Sequence, residues 1–269
     1  MIIPITDRND SRIDVYRNIR ERDLTGRQHR FIAEGEVVIR VLLHSGYEIE
    51  SFLISEKQQS FAEEILQELP AGIPVYSASQ EVMDGVTGFH IHRGLLAVGK
   101  KPEPREASAL LASLPDNALV IGLIGLSNHD NIGGIFRNAA AFGADAVILD
   151  DTCCDPLYRK ALRVSVGGVL KVPFARMPGQ DDILACLHDS GFSVVALSPS
   201  GKDDLNALHI QGRIALLLGA EGPGLPQSIL DMVRTARIPM ANAFDSLNVA
   251  TTSGIALYQL RNGITPVEH

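Results

Sequence analysis

The chain has 269 residues, more than the roughly 100 to 200 of a typical single domain, so two domains are expected. Hydrophobic residues make up 45% of it, Trp is absent, and 24 Lys and Arg stand against 32 Asp and Glu, for a formal net charge of −8. This balance excludes a protein that coats nucleic acid through bulk positive charge, because phosphate binding depends on Lys and Arg. Any contact with nucleic acid must rest on local basic patches.

The N-terminal segment MIIPITDRND contains Asp and Arg and has no apolar core of the signal-peptide type. No segment reaches the ~20 apolar residues of a membrane helix, since even ALVIGLIGL (118–126) has only the length of a strand. We therefore expect a cytoplasmic protein without membrane contact. The eight His residues show no ligand spacing, so no metal is expected, and Cys153, Cys154 and Cys186 are expected to be free thiols.

Two runs of basic residues are candidates for contact with nucleic acid. In the first run, which spans 12–30, the basic residues outnumber three acidic ones, and its members are Arg12, Arg17, Arg20, Arg22, Arg27 and Arg30. The second run consists of Arg159, Lys160, Arg163, Lys171 and Arg176. Each run, taken alone, is equally well explained as a solvated helix face.

The N-terminal part of the chain, from Asp14 to about Lys100, alternates short helical and strand-like segments. The pattern predicts a helix ending near Arg22 and then strand HRFIAEG, helix EVVIRVLLHSG, strand IESFLIS, helix FAEEILQEL, strand IPVYSA, helix SQEVMDGV and strand GLLAVGK. The segment KKPEPREAS (100–108) interrupts this periodicity, as linkers do. We therefore predict a small α/β domain over 1–105, a linker over 106–116 and a second domain over 117–269.

The second domain shows strand-like runs separated by helical patterns. The runs are ALVIGLIG, DAVILD, GGVLKVPFA, FSVVALS, RIALLLG and RTARIPM. The helical patterns are NIGGIFRNAAAFG, DPLYRKALRVS, DDILACLHDSG, LPQSILDMV and NVATTSGIALYQLRNG. Strands that are apolar on both faces and alternate with helices predict a doubly wound parallel sheet. Ligands of such sheets bind beyond the carboxyl ends of the strands, so the loops there are candidates for the site.

The first of three notable loops, GLSNHDNIGGIFRNAAAFG (125–143), follows ALVIGLIG and leads into a helix that begins near Asn131. Gly133 and Gly134 permit close backbone approach, and Arg137 follows about one and two-thirds turns after Asn131. Taken alone, the loop is also explained by an Asn cap, glycines for packing and an exposed arginine.

The second loop, LLLGAEGPGLP (216–226), joins an apolar strand to three glycines placed around one carboxylate, Glu221. It lacks the GxGxxG pattern of dinucleotide-binding proteins and contains Pro223. The loop by itself indicates only that a ligand or another stretch of backbone approaches closely.

The third loop belongs to IPMANAFDSLNVATTSGIALYQL (238–260), in which a short strand is followed by polar residues and a helix. Ser246 and Asn248 are suited to cap that helix, and capping alone explains an isolated segment of this kind.

Together, in this order and at these intervals, the three segments resemble the signature motifs of the SpoU family of RNA ribose methyltransferases, within the SPOUT class: N-x5-R, G-x-E-G-x-G and IPM…SLNV. The resemblance covers about residues 117–262. A softer match over residues 11–100 is similar to the small substrate-binding domain that many members carry. The resemblance implies 2′-O-methylation of a ribose in structured RNA with S-adenosylmethionine, a deep trefoil knot in the C-terminal domain, and a homodimer formed through that domain.

The resemblance also implies roles for individual residues. Arg137 is the expected catalytic arginine, assisted by four residues that orient it and the ribose: Asn131, Glu221, Ser246 and Asn248. The residues expected to surround the cofactor are Ser198, Leu218, Gly219, Ile238, Met240 and Leu247. Contacts with RNA are expected from Arg17, Arg20, Arg27 and Arg30 in the N-terminal domain.

Two other functions were weighed against this one. A non-catalytic RNA-binding or ribosome-assembly protein would keep the pocket, and loss of Arg137 or Asn248 would have indicated it, yet both are present. A nucleotide-dependent oxidoreductase requires GxGxxG near the first strand, which is missing. The sequence does not separate rRNA from tRNA as the substrate, although rRNA is favoured, and it does not indicate which nucleotide is methylated.

Overall fold

The computed structural model describes residues 2–17, 19, 24–26, 28–91, 93–241 and 246–264, with side chains through 261. The chain forms two compact units. The first contains Met1–Pro102 and Leu157–Leu170, and the second contains Glu103–Pro156 and Lys171–His269. After its first pass through the second unit, the chain returns to the first unit over Leu157–Leu170 and then re-enters the second. The predicted domain boundaries placed this segment in the second domain. None of the described helices is long and apolar enough to cross a membrane.

A five-stranded mixed sheet forms the centre of the first unit, with the strand order β1-β4-β3-β5-β2. β4 pairs parallel with β1 and β3, and β5 pairs antiparallel with β3 and β2. The strands are β1 Ile2–Ile5, β2 Arg30–Glu34, β3 Ile49–Ser55, β4 Val75–Ala78 and β5 Leu95–Lys100. The helices are α1 Glu36–Leu43, α2 Gln59–Glu68 and α3 Gln80–Thr87, and 3-10 helices cover Ser11–Tyr16 and Glu56–Gln58.

The seven elements predicted from HRFIAEG to GLLAVGK are all present, because each has a clear apolar periodicity. α1, for example, buries Val38, Ile39 and Leu42 on one face. Where the predicted helix ending near Arg22 should begin, the structure has the 3-10 helix Ser11–Tyr16, and Arg17 is extended, so the segment is not one continuous helix from Asp14. The predicted end near Arg22 stays a prediction. Asn18 and residues 20–23 lie outside the described residues. β1 was not predicted, because a strand of four residues is defined by its pairing with β4 and not by its own pattern.

A seven-stranded sheet, parallel throughout, forms the second unit, with the order β10-β12-β9-β11-β6-β7-β8. The strands are β6 Leu119–Ile124, β7 Ala146–Asp150, β8 Phe174–Met177, β9 Ser193–Leu197, β10 Asp203–Asp204, β11 Ile214–Gly219 and β12 Arg234–Arg237. The helices from residue 103 onward are α4 Ala107–Ala112, α5 His129–Phe142, α6 Arg159–Val164, α7 Gly168–Lys171, α8 Gln180–Asp189, α9 Gln227–Met232 and α10 Val249–Ile264.

The order of strands in this sheet explains where the loops meet. The chain runs outward from β6 to β7 and β8, then crosses to β9 on the other side of β6, and β11 later fills the gap between them. The direction of winding thus reverses next to β6. Because all strands are parallel, the carboxyl ends of β6, β11, β9 and β12 lie side by side at one edge. This is the edge at which the three notable loops were predicted to lie.

Three features of the second unit differ from expectation. The predicted strand GGVLKVPFA forms the short helix α7 and then β8, which begins only at Phe174. The predicted linker contains α4, whose Ala107, Leu110 and Leu111 are buried in the core of the second unit. The predicted trefoil knot depends on a chain path through residues 242–245, which lie outside the described residues, so the knot stays a prediction.

Candidate active site

A cavity of about 360 Å³ opens at the carboxyl ends of β9, β11 and β12, beside the start of α10. Backbone and apolar side chains supply most of its wall. Nine residues predicted from the sequence line it: Ser198, Leu218, Gly219, Glu221, Ile238, Met240, Ser246, Leu247 and Asn248. The loop that follows β11 and the segment that precedes α10 therefore meet in one place, as predicted.

The glycine-rich loop after β11 forms a tight wall of this cavity. A Cβ on Gly219 would lie 2.5 Å from the carbonyl carbon of Gly224 and 2.5 Å from the nitrogen of Leu225, so only glycine fits there. The loop turns back on itself, and the Gly224 N–H donates to the carbonyl oxygen of Ala220 at 3.0 Å. This turn places Glu221 at its tip, exposed to the cavity.

Asn248 connects the three loops through its side-chain amide. Its Nδ2 donates to Oδ1 of Asn131 at 2.9 Å and to Oε1 of Glu221 at 2.9 Å. Its Oδ1 accepts the backbone N–H groups of Ala250, at 2.9 Å, and Thr251, at 3.3 Å, and so caps α10. Both amide hydrogens are thus used, and we conclude that Asn248 positions Asn131 and Glu221.

Close packing between α5 and α10 sets the distance from Asn131 to Asn248. A Cβ on Gly134 would lie 2.6 Å from the Cβ of Ala250, so glycine lets the two helices approach. One turn further along α5, Asn138 Nδ2 donates to the carbonyl oxygen of Ala250 at 2.7 Å and to Oγ of Ser253 at 2.9 Å. Asn131 itself is 4% exposed, and its buried amide oxygen is satisfied by Asn248.

The loop that leads into α5 is held from β7 by a buried carboxylate, Asp150. Its side chain accepts the N–H groups of Gly125 at 3.0 Å and Cys153 at 2.9 Å, and the hydroxyl of Thr152 at 2.8 Å. Cys153 Sγ in turn accepts the N–H of Leu126 at 3.3 Å. The only sign of this support in the sequence is an Asp that ends an apolar strand, as in DAVILD.

Arg137 lies outside the cavity wall. It is exposed on α5 and makes no hydrogen bond or ion pair with any part of the chain that the structure describes. Arg137 follows the buried Asn131 by six residues, and six steps of about 100° amount to about 600°. The two side chains therefore point in directions that differ by roughly 120° around the helix axis. The structure therefore joins Asn131, Glu221 and Asn248, with Ser246 nearby in the cavity wall, and leaves Arg137 on a different face of α5.

Nine further residues line the cavity, and of these only Gly222, Gly224 and Val249 are specified by a motif singled out from the sequence. They come from the ends of β9 and β12, the loop after β11 and the start of α10: Leu197, Pro199, Ala220, Gly222, Gly224, Leu225, Ala236, Val249 and Thr252. Gly201 allows the loop after β9 to lie against β12, since a Cβ there would be 2.3 Å from the carbonyl carbon of Ala236. Apolar wall residues have no chemical signature of their own, so only the strand ends could have indicated them.

Three arginines of the first basic run lie among the described residues, and each is paired with a carboxylate. Arg17 pairs with Asp14 at 2.8 Å, Arg12 pairs with Asp10 at 2.5 Å, and Arg30 binds the carboxylate of Glu50 with two hydrogen bonds. The predicted RNA contacts Arg20 and Arg27 lie outside the described residues. RNA binding by this run stays a prediction. Among described residues no group of three or more His, Cys, Asp or Glu is placed to hold a metal ion.

Comparison with known families and proteins agrees with this geometry. Residues 118–258 match the SpoU rRNA methylase family, and residues 32–105 match the family described as RNA 2′-O ribose methyltransferase substrate binding. An uncharacterized tRNA/rRNA methyltransferase of Mycobacterium tuberculosis is 39% identical over 266 residues, covering 95% of this chain and 90% of its own. A 23S rRNA (guanosine-2′-O-)-methyltransferase of Photobacterium profundum is 28% identical over 78% of this chain and 88% of its own.

A solved structure is similar to this one over almost the whole length of both chains. An AdoMet-bound rRNA methyltransferase from Sinorhizobium meliloti superposes with a TM-score of 0.79 and 26% identity, covering 97% of this chain and 98% of that one. The signature loops, the parallel sheet and the family matches all lead to one assignment. The chain belongs to the SpoU rRNA methylase family and is an RNA methyltransferase.

Proposed function

We propose that this enzyme methylates the 2′-hydroxyl of a ribose in structured RNA, with ribosomal RNA favoured over transfer RNA. The observation that carries the proposal is the meeting of three separate loops at Asn248, beside one cavity. The relatives from Photobacterium profundum and Sinorhizobium meliloti, both named as rRNA methyltransferases, support the choice of RNA. An enzyme that acts on such RNA fits a cytoplasmic location.

The cavity suits S-adenosylmethionine, the methyl donor of this family. Its volume of about 360 Å³ lies within the range of small-molecule sites, roughly 300 to 1,000 Å³. Because Gly219 has no Cβ, the backbone of Gly224 and Leu225 can fold against it, and backbone groups of this loop form part of the wall. Leu218, Ile238, Met240 and Leu247 provide apolar surface, while Ser198 and Ser246 provide hydroxyls. When bound, the cofactor supplies a methyl group on a sulfonium cation.

Positioning of the ribose is the first task of the chain's own residues. Glu221 accepts a hydrogen bond from Asn248 through Oε1, which leaves Oε2 to accept one from a substrate hydroxyl. Asn248 uses both amide hydrogens on protein atoms, so its contribution is to hold Glu221 and Asn131 in place. A nucleophile fixed in this way reacts faster because less entropy is lost in reaching the reactive geometry.

The second task is to stabilise the charge that develops on the ribose oxygen as its proton passes to Oε2 of Glu221, the carboxylate oxygen that accepts the hydrogen bond of the hydroxyl. An arginine has a pKa above ~12 and serves poorly as a base, so we assign Arg137 to electrostatic stabilisation of the oxygen and to fixation of an RNA phosphate. Arg137 is exposed and unpaired within the described residues, so its guanidinium is available for both contacts.

A homodimer formed through the second unit belongs to this proposal. α10 exposes Ile255 and Tyr258, three residues apart on one face, and Tyr258 is 58% exposed. An exposed apolar pair on one face of a helix is a candidate association surface. In a dimer, Arg137 would serve the cavity of the partner chain, which agrees with its position outside the wall of its own.

Methyl transfer to RNA tests the function directly. The full-length protein is incubated with S-adenosylmethionine carrying a labelled methyl group and with unmodified 23S rRNA or total tRNA transcripts, and the RNA is then digested to nucleosides. We expect label in a 2′-O-methylnucleoside and more label from rRNA than from tRNA. Mapping of ribose methylation in cells with and without the gene identifies the nucleotide. Label on a base, or cofactor binding without any transfer, would contradict the proposal, and the second outcome would favour the non-catalytic alternative.

A further inference from the structure

The segment that returns to the first unit, Leu157–Leu170, is the most basic stretch of the chain's centre. Between Asp155 and Asp181 the chain contains five Lys and Arg and no acidic residue, in a protein whose net charge is −8. Three of these residues, Arg159, Lys160 and Arg163, lie in the returning segment, on α6. This local excess of positive charge is not used by the cavity in the second unit.

Glu34, at the end of β2, fixes this segment on the first unit. Its carboxylate is 7% exposed and forms an ion pair with Arg159, and Nη1 of Arg163 lies 3.7 Å from Oε2 of the same carboxylate. A buried carboxylate needs such partners, because an unpaired charge there would be costly. Further along the segment, the absence of a side chain at Gly167 lets the backbone pack closely against Val41, since a Cβ there would lie 2.8 Å from the Cβ of Val41. The basic side chains are therefore held in fixed positions.

An exposed aromatic ring lies beside these charges. Phe89 follows α3 and is 37% exposed. The Arg159 guanidinium lies over its ring, with Cζ 4.6 Å from the ring centroid. The arginine leaves part of the ring open to solvent. A large apolar side chain that is exposed on a loop and held by a fixed cation resembles the stacking platforms of proteins that bind single-stranded nucleic acid.

Further basic side chains of the first unit are exposed. Arg93 is exposed and packs on Gly35, where a Cβ would meet its Cδ at 3.1 Å. Nearby acidic side chains have cationic or histidine partners: Asp84 contacts His90 at 2.7 Å, and Glu36 contacts Arg40 at 3.0 Å. Arg163 is 46% exposed, and Lys160 is exposed on the same helix.

We propose that Phe89, Arg93, Lys160 and Arg163, here called the Phe89 surface, bind a single-stranded loop of the RNA substrate. The ring stacks on an unpaired base, and the three cations contact the phosphates on either side of it. The inference deepens the proposed function and rests on it. The first basic run is a weaker candidate, because the contacts of its described arginines Arg12, Arg17 and Arg30 are with carboxylates and include no aromatic ring like the one that Arg159 contacts.

A matched pair of double variants tests the Phe89 surface in the full-length protein. Lys160→Gln with Arg163→Gln removes two positive charges from this surface, and Arg12→Gln with Arg17→Gln removes two from the first basic run. The probe is a fluorescein-labelled single-stranded RNA, with 23S rRNA as the second ligand, and affinity is measured by anisotropy over a series of salt concentrations. For the first double variant we expect weaker binding, and the slope of a plot of log association constant against log salt concentration should be less steep by about 1.4. For the second double variant we expect a smaller loss of affinity.

A third variant, Phe89→Leu, keeps apolar bulk and removes the aromatic face. We expect it to weaken binding of the single-stranded probe by roughly 10-fold and to leave the slope of the salt plot unchanged, because stacking carries no charge. S-adenosylmethionine affinity, measured by calorimetry, should equal that of the wild type in all variants, which separates this test from the test of the proposed function. Wild-type RNA affinity and salt slope in the Lys160/Arg163 double variant, or equal loss in the two double variants, would overturn the proposal.

Discussion

The side-chain amide of Asn248 donates a hydrogen bond of 2.9 Å to the Oδ1 atom of Asn131, a residue 117 positions earlier in the chain. This single contact joins the start of α5 to the start of α10 and brings the loop after β6 to the loop after β11, because Asn248 also holds Glu221. The cavity wall and the buried Asn131 are thereby parts of one hydrogen-bonded structure.

Replacement of Asn248 by Ala should reduce both stability and activity. The change leaves the buried amide oxygen of Asn131 without its donor and removes the cap of α10, which together cost about 2 to 4 kcal/mol of the free energy of unfolding. Glu221 loses its only described partner, so kcat should fall as well. Urea titration and methyl-transfer kinetics measure the two effects.

A matched control for this variant is Ser79→Ala. Ser79 caps α3 in the first unit by accepting the Val82 N–H at 3.3 Å, so the variant loses a cap of the same kind in the unit that does not contain Asn131. It should lose about 1 kcal/mol of stability and keep the wild-type kcat. If Asn248→Ala also kept its kcat, the role of Asn248 in positioning Glu221 would be refuted.

Gly219→Ala should close the cofactor cavity. A Cβ there would lie 2.5 Å from backbone atoms of Gly224 and Leu225, which cannot rotate away as a side chain would. We expect the affinity for S-adenosylmethionine to fall about 10-fold or more, because relief of this overlap displaces the loop that forms the wall. Calorimetry gives the affinity, and Gly26→Ala, whose Cβ would meet nothing within 4 Å, is the control. Unchanged affinity in Gly219→Ala would mean that the cofactor binds elsewhere.

Those parts of the site that depend on local sequence were predictable. Gly219, Glu221 and Asn248 stand in short motifs whose order and spacing resemble a known family, and the structure places them at one cavity. The strands that carry them were also predictable, because they are apolar on both faces and bounded by turns. Their grouping follows from the parallel sheet, whose carboxyl ends share one edge.

Features that arise from tertiary contacts were not predictable in this way. The support that Asp150 gives to Gly125 requires two neighbouring strands in register, and no local pattern reports that pairing. The return of Leu157–Leu170 to the first unit depends on the ion pair between Glu34 and Arg159, residues far apart in the sequence. β1 likewise exists because β4 supplies its hydrogen bonds. The hydrophobic pattern of a segment does not indicate which distant residues it contacts, so contacts of this kind cannot be predicted from that pattern.

The thiols of Cys153 and Cys154 should be unreactive in the native protein. Burial raises the pKa of Cys153 to about 12 and that of Cys154 to about 11, from an ordinary value of 9.0, so both thiols stay protonated at neutral pH. Iodoacetamide should modify them much more slowly than in the guanidinium-unfolded chain, as measured by mass spectrometry. Rapid alkylation of Cys153 in the folded protein would contradict the burial that the structure shows.

The same pKa shift predicts how stability changes at high pH. In the unfolded chain the thiols lose their protons near pH 9, whereas in the folded chain they keep them until about pH 11 to 12. The unfolded state therefore binds fewer protons between these values, and the free energy of unfolding should fall as the pH rises through this window. Cys153→Ala should show a shallower fall in urea titrations from pH 8 to 10, and an equal slope would exclude Cys153 as its source.

Replacement of Arg137 by Ala should lower methyl transfer by at least ~100-fold while leaving the affinity for S-adenosylmethionine nearly unchanged, because the side chain acts on the developing oxyanion and does not line the cavity. Stability should change by no more than ~0.5 kcal/mol, since Arg137 is exposed and has no described partner. Arg137→Lys should rescue poorly, because a point charge does not reproduce a planar fork that contacts phosphate and hydroxyl together. If Arg137→Ala transferred methyl groups at a near wild-type rate, Arg137 would not be the catalytic residue, and Glu221 or Asn131 would have to be tested for that role.

Mixing two defective proteins determines which chain's cavity Arg137 serves. Consider a dimer of one Arg137→Ala chain and one Gly219→Ala chain. If Arg137 acts on the partner's cavity, one site in this dimer is complete, because the intact cavity of the Arg137→Ala chain receives the intact Arg137 of the Gly219→Ala chain. Activity should then rise well above that of either variant alone after the chains are exchanged by mild denaturation and refolding, with sedimentation confirming the dimer. If Arg137 acts within its own chain, each site in the mixed dimer carries one defect, and activity stays at the level of the separate variants.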